Sequence, residues 1–540
     1  MKRRLPLLIV LTLAILLAPH SASMARAQKN SRRLPSRSLA GATGYLNTSR
    51  PIDIRDLRGK IVLLDFWTYC CINCMHILPM LKQLEEKYPN QLVVLGIHSP
   101  KFNTEKDIEN IRRAVLRYDI THPVINDSNK AIWRRYNINF WPTMILIDPE
   151  GYVCGIRRGE APFKVIDKEV AKQVRLHKQK GTLNETPLRW DLELNKQQRT
   201  ALRFPGKVIV DPTGQRLVIA DSGNHRLIVT DPTGRKTTVI GTGRPGRQDG
   251  PLASASFNDP QGMVFDGDTL YVADNLNHLI RKVDLKAGQV TTIAGTGKML
   301  TSYARMRRRS NTPTRYALSN PWDLALVKQR LYIAMAGTHQ LVMLNLDTNT
   351  IVPYSGNGTE DVRDGTLAKS CHAQPSGLAT DGNHLFVVDS EGSSLRAVSL
   401  PPGNNVSTLV GTTGLPMFKS LFAFGDQDGQ GSGVRLQHPI GVAYADGRIY
   451  VADTYNHKIK LVDPGSRNCV TLAGQTRRGN SLQPLQLHEP AGLAVHGKTL
   501  YIADTNNHRI VTFDLGSRQA RTLTIEGLQP PSRTAAKSPR

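Results

Sequence analysis

The feature that most constrains the fold of this 540-residue chain is a six-fold repeat in its C-terminal part. The copies are LVIADSGNHRLIV (217–229), LYVADNLNHLIRK (270–282), LYIAMAGTHQLVM (331–343), LFVVDSEGSSLRA (385–397), IYVADTYNHKIKL (449–461) and LYIADTNNHRIVT (500–512). Equivalent positions lie 51 to 64 residues apart, and most copies follow a Pro-x-Gly-like strand start and precede a strand such as TTIAGTG. About four short strands per unit predict the blade of a β-propeller. Because one blade cannot bury both of its faces, we predict a closed, six-bladed ring over residues 201–527.

The N-terminal part is organised differently, since apolar strands alternate with helical segments over residues 41–180. IVLLDFW (61–67) and QLVVLGIH (91–98) are predicted as buried strands, and helices are predicted over 71–88, 104–118 and 163–177. This alternation indicates an α/β domain with a largely parallel sheet. We also predict a flexible lead-in over 28–40, a linker over 181–200 and a disordered basic tail over 528–540.

Residues 1–27 have the pattern of a secretory signal peptide. A basic KRR at 2–4 precedes an apolar run over 5–18, and ARA at 25–27 offers a small-x-small cleavage site ending at Ala27. The apolar run is short against the roughly 20 residues that a membrane-spanning helix needs, and an uncleaved membrane anchor is the alternative. We therefore expect an exported protein, periplasmic or extracellular after cleavage.

The chain is strongly basic, with a net charge of +26 from 70 Lys and Arg residues against 44 Asp and Glu residues. Its densest basic run is ARMRRRS at 304–310, which is ordinarily a solvated loop. For an exported protein, an anionic membrane or envelope surface is a more natural peripheral contact than nucleic acid. We expect no nucleic-acid partner.

Six cysteines are present, at positions 70, 71, 74, 154, 371 and 469, which is not the pattern of a disulfide framework. Cys71 and Cys74 form a CxxC motif at a predicted strand-to-helix junction. The first thiol lies at the helix N-terminus, where free N–H groups stabilise a thiolate, and the second can resolve a mixed disulfide. A zinc site would need two further ligands, which no second CxxC or His pair supplies. We predict a redox-active disulfide, with no metal and no bound cofactor.

The segment VLLDFWTYCCINC (62–74) resembles the active-site segment of thioredoxin-fold proteins. In that family an Asp-Phe-Trp ends the central strand, with the Asp six residues before the nucleophilic Cys, as Asp65 stands before Cys71 here. The later FWPTMILID (140–148) resembles the family's cis-proline loop, which would make Pro142 that proline. The long interval from Cys71 to Pro142 accommodates an extra strand and helix, as in the TlpA-like and redoxin branches.

This resemblance implies a role for each matched residue. Cys71 would be the attacking thiolate and Cys74 the resolving thiol, and a buried Asp65 with a raised pKa would take the proton of Cys74. An extended substrate would pair with the backbone of residue 141. The substrate groove would be formed by Trp67, Trp141, Pro142 and Thr143. The plainer alternatives are a strand-end cap for Asp65, core packing for Trp67 and a trans turn at Pro142.

The remaining thiols carry less information. Cys70 could be a buried neighbour, a third redox partner or a site of trapping in a wrong disulfide, and we favour a structural or modulatory role because adjacent cysteines seldom bridge. Cys154 is expected as a buried residue of a strand, and Cys371 as the blade equivalent of Ser256. A thiol-peroxidase motif, Pro-x-x-x-Thr-x-x-Cys, would need proline at the position of Leu64.

The repeats resemble NHL repeats, whose Asn-His-Arg/Lys signature stands at 224–226, 456–458 and 507–509. Units three and four depart from it, with Met335 in place of the repeated Asp and Gly392-Ser393 in place of Asn-His. A thioredoxin-like domain followed by six NHL units, with CCINC at 70–74, resembles the NHL repeat-containing protein 2 family over about residues 41–525. We expect the repeated Asp and His to lock their own strand turns, and the irregular loops 298–317 and 415–435 to be candidate binding loops.

Together these features predict an exported thiol–disulfide oxidoreductase whose propeller is a protein-recognition platform. The expected partners are protein thiol or disulfide substrates and a redox partner protein. The alternatives are a non-catalytic interaction scaffold with a structural CxxC disulfide and, as a minor one, a peroxidase-like antioxidant protein. The motif leaves open whether the centre reduces, oxidises or isomerises, because Ile72-Asn73 alone does not set its potential.

Overall fold

A computed structural model describes residues 33–300 and 309–532 of the chain. The predicted signal peptide, residues 28–32 of the lead-in, the arginines at 305, 307 and 308, and residues 533–540 of the tail lie outside the described residues. Within the described ranges, no helix combines the length and the apolar character that crossing a membrane requires. An α/β domain precedes a β-propeller, as predicted.

The first domain is built on one seven-stranded sheet. Its strands are β1 (Leu34–Pro35), β2 (Gly44–Leu46), β3 (Ile61–Trp67), β4 (Leu92–His98), β5 (Val124–Asn126), β6 (Thr143–Ile147) and β7 (Tyr152–Arg158). Its helices are α1 (Ile72–Lys87), α2 (Ile108–Arg117), α3 (Ala131–Arg135) and α4 (Phe163–Gln179), and a short α5 (Glu193–Lys196) follows. The strand order is β1-β7-β6-β3-β4-β5-β2.

The sheet is mixed, so the predicted largely parallel arrangement is wrong. Only β3–β4 and β4–β5 pair in parallel, and the other four pairings are antiparallel. The reason is that β6 and β7 form a hairpin and the edge strands come from short N-terminal segments. Every residue of β3 and β4 is buried, as expected for central strands covered on both faces. Helices α1 and α4 cover one face, and α3 covers the other.

Three segments predicted to be irregular are packed. Within the lead-in, Leu34–Pro35 pairs with β7 as an edge strand, so the flexible assignment fails from there on. The linker is anchored to the first domain, because Lys60 Nζ donates to two of its carbonyls and the amide of Glu193 donates to Asn47 Oδ1 at 2.8 Å. The tail begins with a buried Leu528 instead of disorder.

The second domain contains six blades of at least four antiparallel strands among the described residues. Their strands are, in blade 1, Lys207–Val210, Leu217–Asp221, Arg226–Thr230 and Lys236–Ile240; in blade 2, Pro260–Asp266, Thr269–Asp274, Leu279–Asp284 and Gln289–Ala294; in blade 3, Pro321–Val327, Arg330–Met335, Gln340–Asn345 and Thr350–Ser355; in blade 4, Pro375–Thr380, His384–Asp389, Ser394–Ser399 and Val406–Val410; in blade 5, Gly441–Ala445, Arg448–Asp453, Lys458–Val462 and Asn468–Gly474; in blade 6, Pro490–His496, Thr499–Asp504, Arg509–Asp514 and Ala520–Thr522. Short extra strands at Gly250–Pro251 and Gly429–Gln430 extend blades 2 and 5.

The ring is closed by packing of blade 6 against blade 1. The first strands of successive blades contact one another around the centre, including those of blades 6 and 1. An apolar cluster that contains Val208, Ile219, Tyr501 and Leu528 fills the junction between the last and first blades. Burial of such a seam explains why all six units are needed.

The repeated Asp and His residues make hydrogen bonds of different kinds, within a blade and between blades. Asp453 accepts from the Gln437 amide and from Asn456 Nδ2 within its own blade, so the prediction for the Asp positions is confirmed there. The His positions instead connect neighbouring blades: His457 Nδ1 accepts from the Glu489 amide of the next blade at 3.1 Å. Histidines 225, 278, 339 and 508 make the same bond to the following blade. The prediction that each His locks its own turn is therefore wrong.

A buried ion pair crosses the centre of the ring. Lys207 Nζ of blade 1 lies 2.8 Å from Asp323 Oδ2 of blade 3 and also donates to the carbonyls of Ser376 and Ile440 at 3.1 Å. Lys207 and Asp323 occupy the glycine position of the Pro-x-Gly repeat, which is glycine in the other four blades. A Cβ at the equivalent Gly262 would lie 2.1 Å from Asp323 Oδ1, so small neighbours make room for the pair.

Candidate functional site

The CxxC motif lies at the end of a buried central strand and the start of a helix, as the sequence predicted. Cys71 is the N-cap residue of α1 and makes no side-chain capping hydrogen bond. Its carbonyl accepts from the Cys74 and Met75 amides at 3.0 and 3.2 Å. Cys71 is partly exposed, Cys74 is fully buried, and all six cysteines are free thiols. The helix N-terminus therefore presents one accessible thiol backed by one buried thiol.

A buried carboxyl group lies behind the second thiol. Asp65 on β3 is fully buried, and neither of its oxygens has a hydrogen-bond partner. Burial raises the pKa of Asp65 to about 7, opposed by His122. Burial, then a hydrogen bond with Cys71, and the nearby charges of Cys71 and Asp65 raise the pKa of Cys74 well above its usual range. An unpartnered carboxyl group next to such a thiol is suited to accept its proton, and it does not act as a strand-end cap.

The loop before β6 lies beside the same helix end. The peptide bond between Trp141 and Pro142 is cis. Trp141 Nε1 donates to the Ser99 carbonyl at 3.0 Å, and its ring lies 4.4 Å from that of Trp133. Thr143 Oγ1 donates to the carbonyl of Phe140 at 2.7 Å, while the Phe140 ring itself is half exposed.

Trp67 does not line an open groove. Only 1% of its surface is exposed, and it packs edge-on against His98 with ring centroids 5.1 Å apart. A Cβ at the neighbouring Gly96 would lie 2.9 Å from Trp67 Nε1, so this glycine makes room for the indole. Core packing, the plainer of the two sequence interpretations, describes this tryptophan.

Cys70, unlike Cys71, is buried. It is 3% exposed, and its amide donates to Glu105 Oε1 at 3.0 Å. Burial, and then the charges of Glu105 and Glu391, raise the pKa of the Cys70 thiol well above its usual range. A thiol that stays protonated is a poor nucleophile, which favours the structural role over a third redox partner.

Cys371 and Cys154, two of the three thiols far from the CxxC motif, differ in burial. Cys371 is buried, and its carbonyl accepts from Arg396 as that of Ser256 accepts from Arg281, so the predicted equivalence is confirmed. Cys154 on β7 is only partly buried, with Sγ 3.4 Å from the Leu146 carbonyl oxygen. The expected buried position is therefore wrong in degree, because β7 is nearly an edge strand.

The propeller covers the CxxC end of the first domain with one residue from each blade. These six residues, which we call the pre-proline ring, immediately precede the strand-opening prolines and all have a positive φ: Phe204, Asp259, Asn320, Gln374, His438 and Glu489. The inter-blade bond to the preceding His, or to Ser393 in blade 4, holds each of their amides. A ring of unlike side chains on a repeated backbone therefore faces the thioredoxin-like domain.

The pre-proline ring makes specific contacts with that domain. Glu489 accepts from the Tyr69 hydroxyl at 3.1 Å and from Arg117 at 3.0 Å, and Asn320 Oδ1 lies 2.7 Å from His76 Nε2. Gln374 bonds to the backbone on both sides of Cys71. None of these residues was predicted as functional from the sequence. The sequence does contain one indication of them: the residue before the strand-opening proline differs from blade to blade, although the repeat is otherwise regular.

Beside the pre-proline ring, a buried ion pair and a cluster of aromatic side chains connect the two domains. Lys101 pairs with Glu391 of blade 4, and both side chains are less than 10% exposed. The pairing lowers the pKa of Glu391 against the opposing effect of burial. The Phe102 ring lies 4.5 Å from that of Phe424 and 5.5 Å from that of Tyr455. Because the Lys101–Glu391 pair is buried, removing one of the two residues would leave the other charge buried without its ion-pair partner.

A largely apolar cleft of about 260 Å³ runs between the first domain and blades 1 to 3. Its walls include Met75, Pro79, Leu276 and Trp322. Cys71 is not among its lining residues, so the cleft runs beside α1 and not over the Cys71 thiol.

An exposed apolar loop borders the domain junction within the predicted binding loop 415–435. Leu415, Met417, Phe418 and Phe422 are each at least 40% exposed, although they lie within eight residues. Lys101 Nζ lies 5.2 Å from the centre of the Phe422 ring, which places this loop next to the buried ion pair. Grouped exposed apolar side chains of this kind mark interaction surfaces.

Among the described residues, one group has metal-ligand geometry: Asp148, Glu150 and His177. The guanidinium of Arg33 lies 2.5 Å from Asp148 and 2.9 Å from Glu150. Because this cation already balances both carboxylates, the group is occupied by an ion pair and is remote from the chemistry of the CxxC motif.

Comparisons with known proteins agree with the two-part architecture. A family model described as thioredoxin-like matches residues 59–153, and an NHL repeat model matches 436–460 and 487–513. NHL repeat-containing protein 2 of Bos taurus is 43% identical over 516 residues, covering 89% of this chain and 70% of its own length. Protein SUPPRESSOR OF QUENCHING 1, chloroplastic, of Arabidopsis thaliana is 43% identical over 509 residues, covering 90% of this chain and 48% of its own. Thiol-disulfide oxidoreductase YkuV of Bacillus subtilis is 27% identical over 139 residues, covering 26% of this chain and 93% of its own.

Proposed function

The chain belongs to the NHL repeat-containing protein 2 family, and we propose that it is a thiol–disulfide oxidoreductase acting through Cys71 and Cys74. The observation that carries this proposal is the unpartnered, fully buried carboxyl group of Asp65 behind a CxxC pair at a helix N-terminus. Burying a carboxyl group without hydrogen-bond partners lowers the stability of the fold. A role for Asp65 as the acceptor of the Cys74 proton would explain why such a group is present. The similarity to a protein named as a thiol–disulfide oxidoreductase supports the same chemistry.

The proposed reaction has two exchanges. The Cys71 thiolate attacks one sulfur of a substrate disulfide, forming a mixed disulfide and releasing the other substrate sulfur as a thiolate. Cys74 then transfers its proton to Asp65 and attacks Cys71 Sγ, which releases the second substrate thiolate. The products are a Cys71–Cys74 disulfide and a reduced substrate. A dithiol partner protein must restore the reduced pair, and the same steps in reverse would oxidise a dithiol.

A disulfide-reduction assay with dithiothreitol and insulin tests this chemistry on the full chain. We expect Cys71→Ser to lose the activity, and Cys74→Ser to accumulate a mixed disulfide visible by non-reducing electrophoresis. Equal turnover by wild type and Cys71→Ser would show that the pair is not the reaction centre, and would leave the scaffold with a structural disulfide as the better interpretation.

We propose further that the substrate is a polypeptide and that the exposed loop of Leu415, Met417, Phe418 and Phe422 binds it. Its closeness to Lys101 places apolar contact surface beside the CxxC end of the first domain. Two aromatic anchors are worth about tenfold or more in binding. Replacing Phe418 and Phe422 together by serine should therefore lower kcat/KM for reduction of scrambled ribonuclease, whose disulfides are intact but wrongly paired, about tenfold.

Two controls separate recognition from chemistry. Turnover of a small aromatic disulfide should be unchanged in the Phe418→Ser, Phe422→Ser variant. The Val470→Ser variant removes a side chain of similar exposure from the fourth strand of blade 5 and should behave as wild type. Equal losses with both substrates would contradict a polypeptide-binding role for the loop.

The location is a proposal that rests on the leader at residues 1–27. We propose export, followed by cleavage after Ala27, with a basic surface that contacts anionic envelope lipids or polymers. Mass spectrometry of the N-terminus of the protein made in a bacterial host would show a chain that begins at Gln28. A chain that retains its leader in the cytoplasmic fraction would overturn this proposal.

A further inference from the structure

The thioredoxin-like domain does not hold its reactive loop alone, because a propeller side chain is bonded to both flanks of Cys71. The amide of Ile72 donates to Gln374 Oε1 at 3.1 Å, and Gln374 Nε2 donates to the Cys70 carbonyl at 3.1 Å. Gln374 is 3% exposed, so water does not compete for these bonds. The carboxamide thus bridges the peptide group before Cys71 and the one after it.

The orientation of this carboxamide is determined by its two partners. The carbonyl of Cys70 can only accept, and the amide of Ile72 can only donate, so Oε1 must face Ile72 and Nε2 must face Cys70. Gln374 is itself held in place, because its own amide donates to His339 Nδ1 at 3.1 Å with a φ of 60°. A wrong rotation would leave two buried polar groups unpaired, which costs free energy.

The bond to Ile72 has a chemical consequence. Ile72 is the first residue of α1, and its N–H is one of the donors without a partner inside the helix, which at a helix N-terminus can stabilise a thiolate at Cys71. A carbonyl oxygen that accepts this N–H reduces what the donor offers to the sulfur and brings partial negative charge towards it. The propeller therefore moderates the helix-end stabilisation of the Cys71 thiolate.

We propose that Gln374 is a positioning residue, supplied by the propeller, that sets the reactivity of the Cys71 thiol. The inference rests on the proposed function of Cys71 as the attacking thiol. Two other members of the pre-proline ring bond to side chains of the first domain, Glu489 to Tyr69 and Asn320 to His76. Among the described residues, only Gln374 of this ring bonds to the backbone beside the thiol. Gln374 alone among these contacts couples domain docking to the chemistry.

Two substitutions change the group at this position without changing its length. Gln374→Glu keeps the acceptor for Ile72 but places a negative charge near Cys71 and turns an acceptor towards the Cys70 carbonyl. Gln374→Met removes both bonds and frees the Ile72 donor. We expect the rate of Cys71 alkylation by iodoacetamide at pH 7 to fall about tenfold in Gln374→Glu and to rise about threefold in Gln374→Met.

Alkylation is followed on the reduced, full-length chain by tandem mass spectrometry, which separates Cys71 from Cys70 and Cys74. The pH profile of the rate should move to higher pH in Gln374→Glu and to lower pH in Gln374→Met. The matched control is Glu489→Gln, which weakens docking at another ring position without touching the CxxC backbone. Its profile should coincide with that of wild type.

The outcomes separate the two proposals. If Gln374→Met and Glu489→Gln shift the profile alike, the effect is one of docking and the positioning role is overturned. Profiles that coincide for all four proteins also overturn it, whatever the disulfide-reduction assay shows. If the expected order holds in a protein that reduces no disulfide, the positioning role stands and the proposed function fails.

Discussion

Replacing Asp65 by asparagine tests both the burial of this carboxyl group and its proposed use. Asp65 is fully buried with no partner for either oxygen, so its charged form lacks the solvation that it has in the unfolded chain. Asparagine has nearly the same shape and does not titrate. The substitution should therefore remove one pH-dependent contribution to stability and, because Cys74 then lacks its proton acceptor, slow disulfide reduction about hundredfold.

The stability change follows from proton linkage. Burial raises the pKa of Asp65 from 3.8 to about 7, so the folded chain binds this proton more tightly than the unfolded chain. The stabilisation from the bound proton is complete below about pH 4 and is lost as the pH rises through 7. Between pH 5 and pH 8 the wild-type chain should lose about 3 kcal/mol from this group, at 1.36 kcal/mol per unit.

The measurement is urea unfolding followed by tryptophan fluorescence, since four of the five tryptophans lie before residue 200. The free energy of unfolding of Asp65→Asn, relative to wild type, should rise by about 3 kcal/mol from pH 5 to pH 8. The control is Asp127→Asn, at a buried carboxylate whose two oxygens accept from Ser99, Ile132 and Trp133. The amide keeps only one of these two acceptor oxygens, so this variant should be less stable than wild type at both pH values. A difference for Asp65→Asn that is the same at pH 5 and pH 8 would refute the reasoning.

Three further outcomes follow from the interfaces. Lys207→Met should lower the free energy of unfolding by about 3–5 kcal/mol, because Asp323 remains buried without its partner, and a differential scanning calorimetry trace with an unchanged propeller transition would contradict this. Lys101→Met leaves the buried Glu391 with only His438 beside it and should speed amide hydrogen exchange in the first turn of α1, whereas unchanged exchange there would show that the ion pair does not fasten the domains. His225→Ala removes one inter-blade bond and should cost about 1 kcal/mol in urea unfolding, and a loss above 4 kcal/mol would point to a role beyond that bond.

Much of the fold could be predicted because it repeats or alternates. Six copies of one pattern specify six blades, and the buried runs of β3 and β4 mark the core of the first domain. The mixed sheet could not be predicted, because pairing direction depends on which segments reach the edges, as Leu34–Pro35 does. The His positions were misjudged for a related reason: the partner of His457 lies in the next blade, 32 residues away.

The residues of the candidate site were likewise predictable only in part. Cys71, Cys74, Asp65 and Pro142 could be named from spacing and resemblance, because a strand, a helix and one loop carry them in a regular order. Gln374 could not, since it stands 302 residues from Ile72 and its significance depends on how two domains dock. Local patterns report on local geometry, and they carry no information about a contact between separately folded units.

The sequence by itself determined that this chain has a thiol pair at a strand-to-helix junction and a ring of six similar blades, because both depend on periodic burial and short-range spacing. Only the tertiary structure decided that the propeller docks against the CxxC end of the first domain, and that non-repeating residues such as Gln374 and Glu391 make the contact. The physical reason is that hydrogen bonds and ion pairs across an interface are selected by shape and desolvation in three dimensions. The arrangement places Gln374 of the propeller against the peptide groups that flank Cys71.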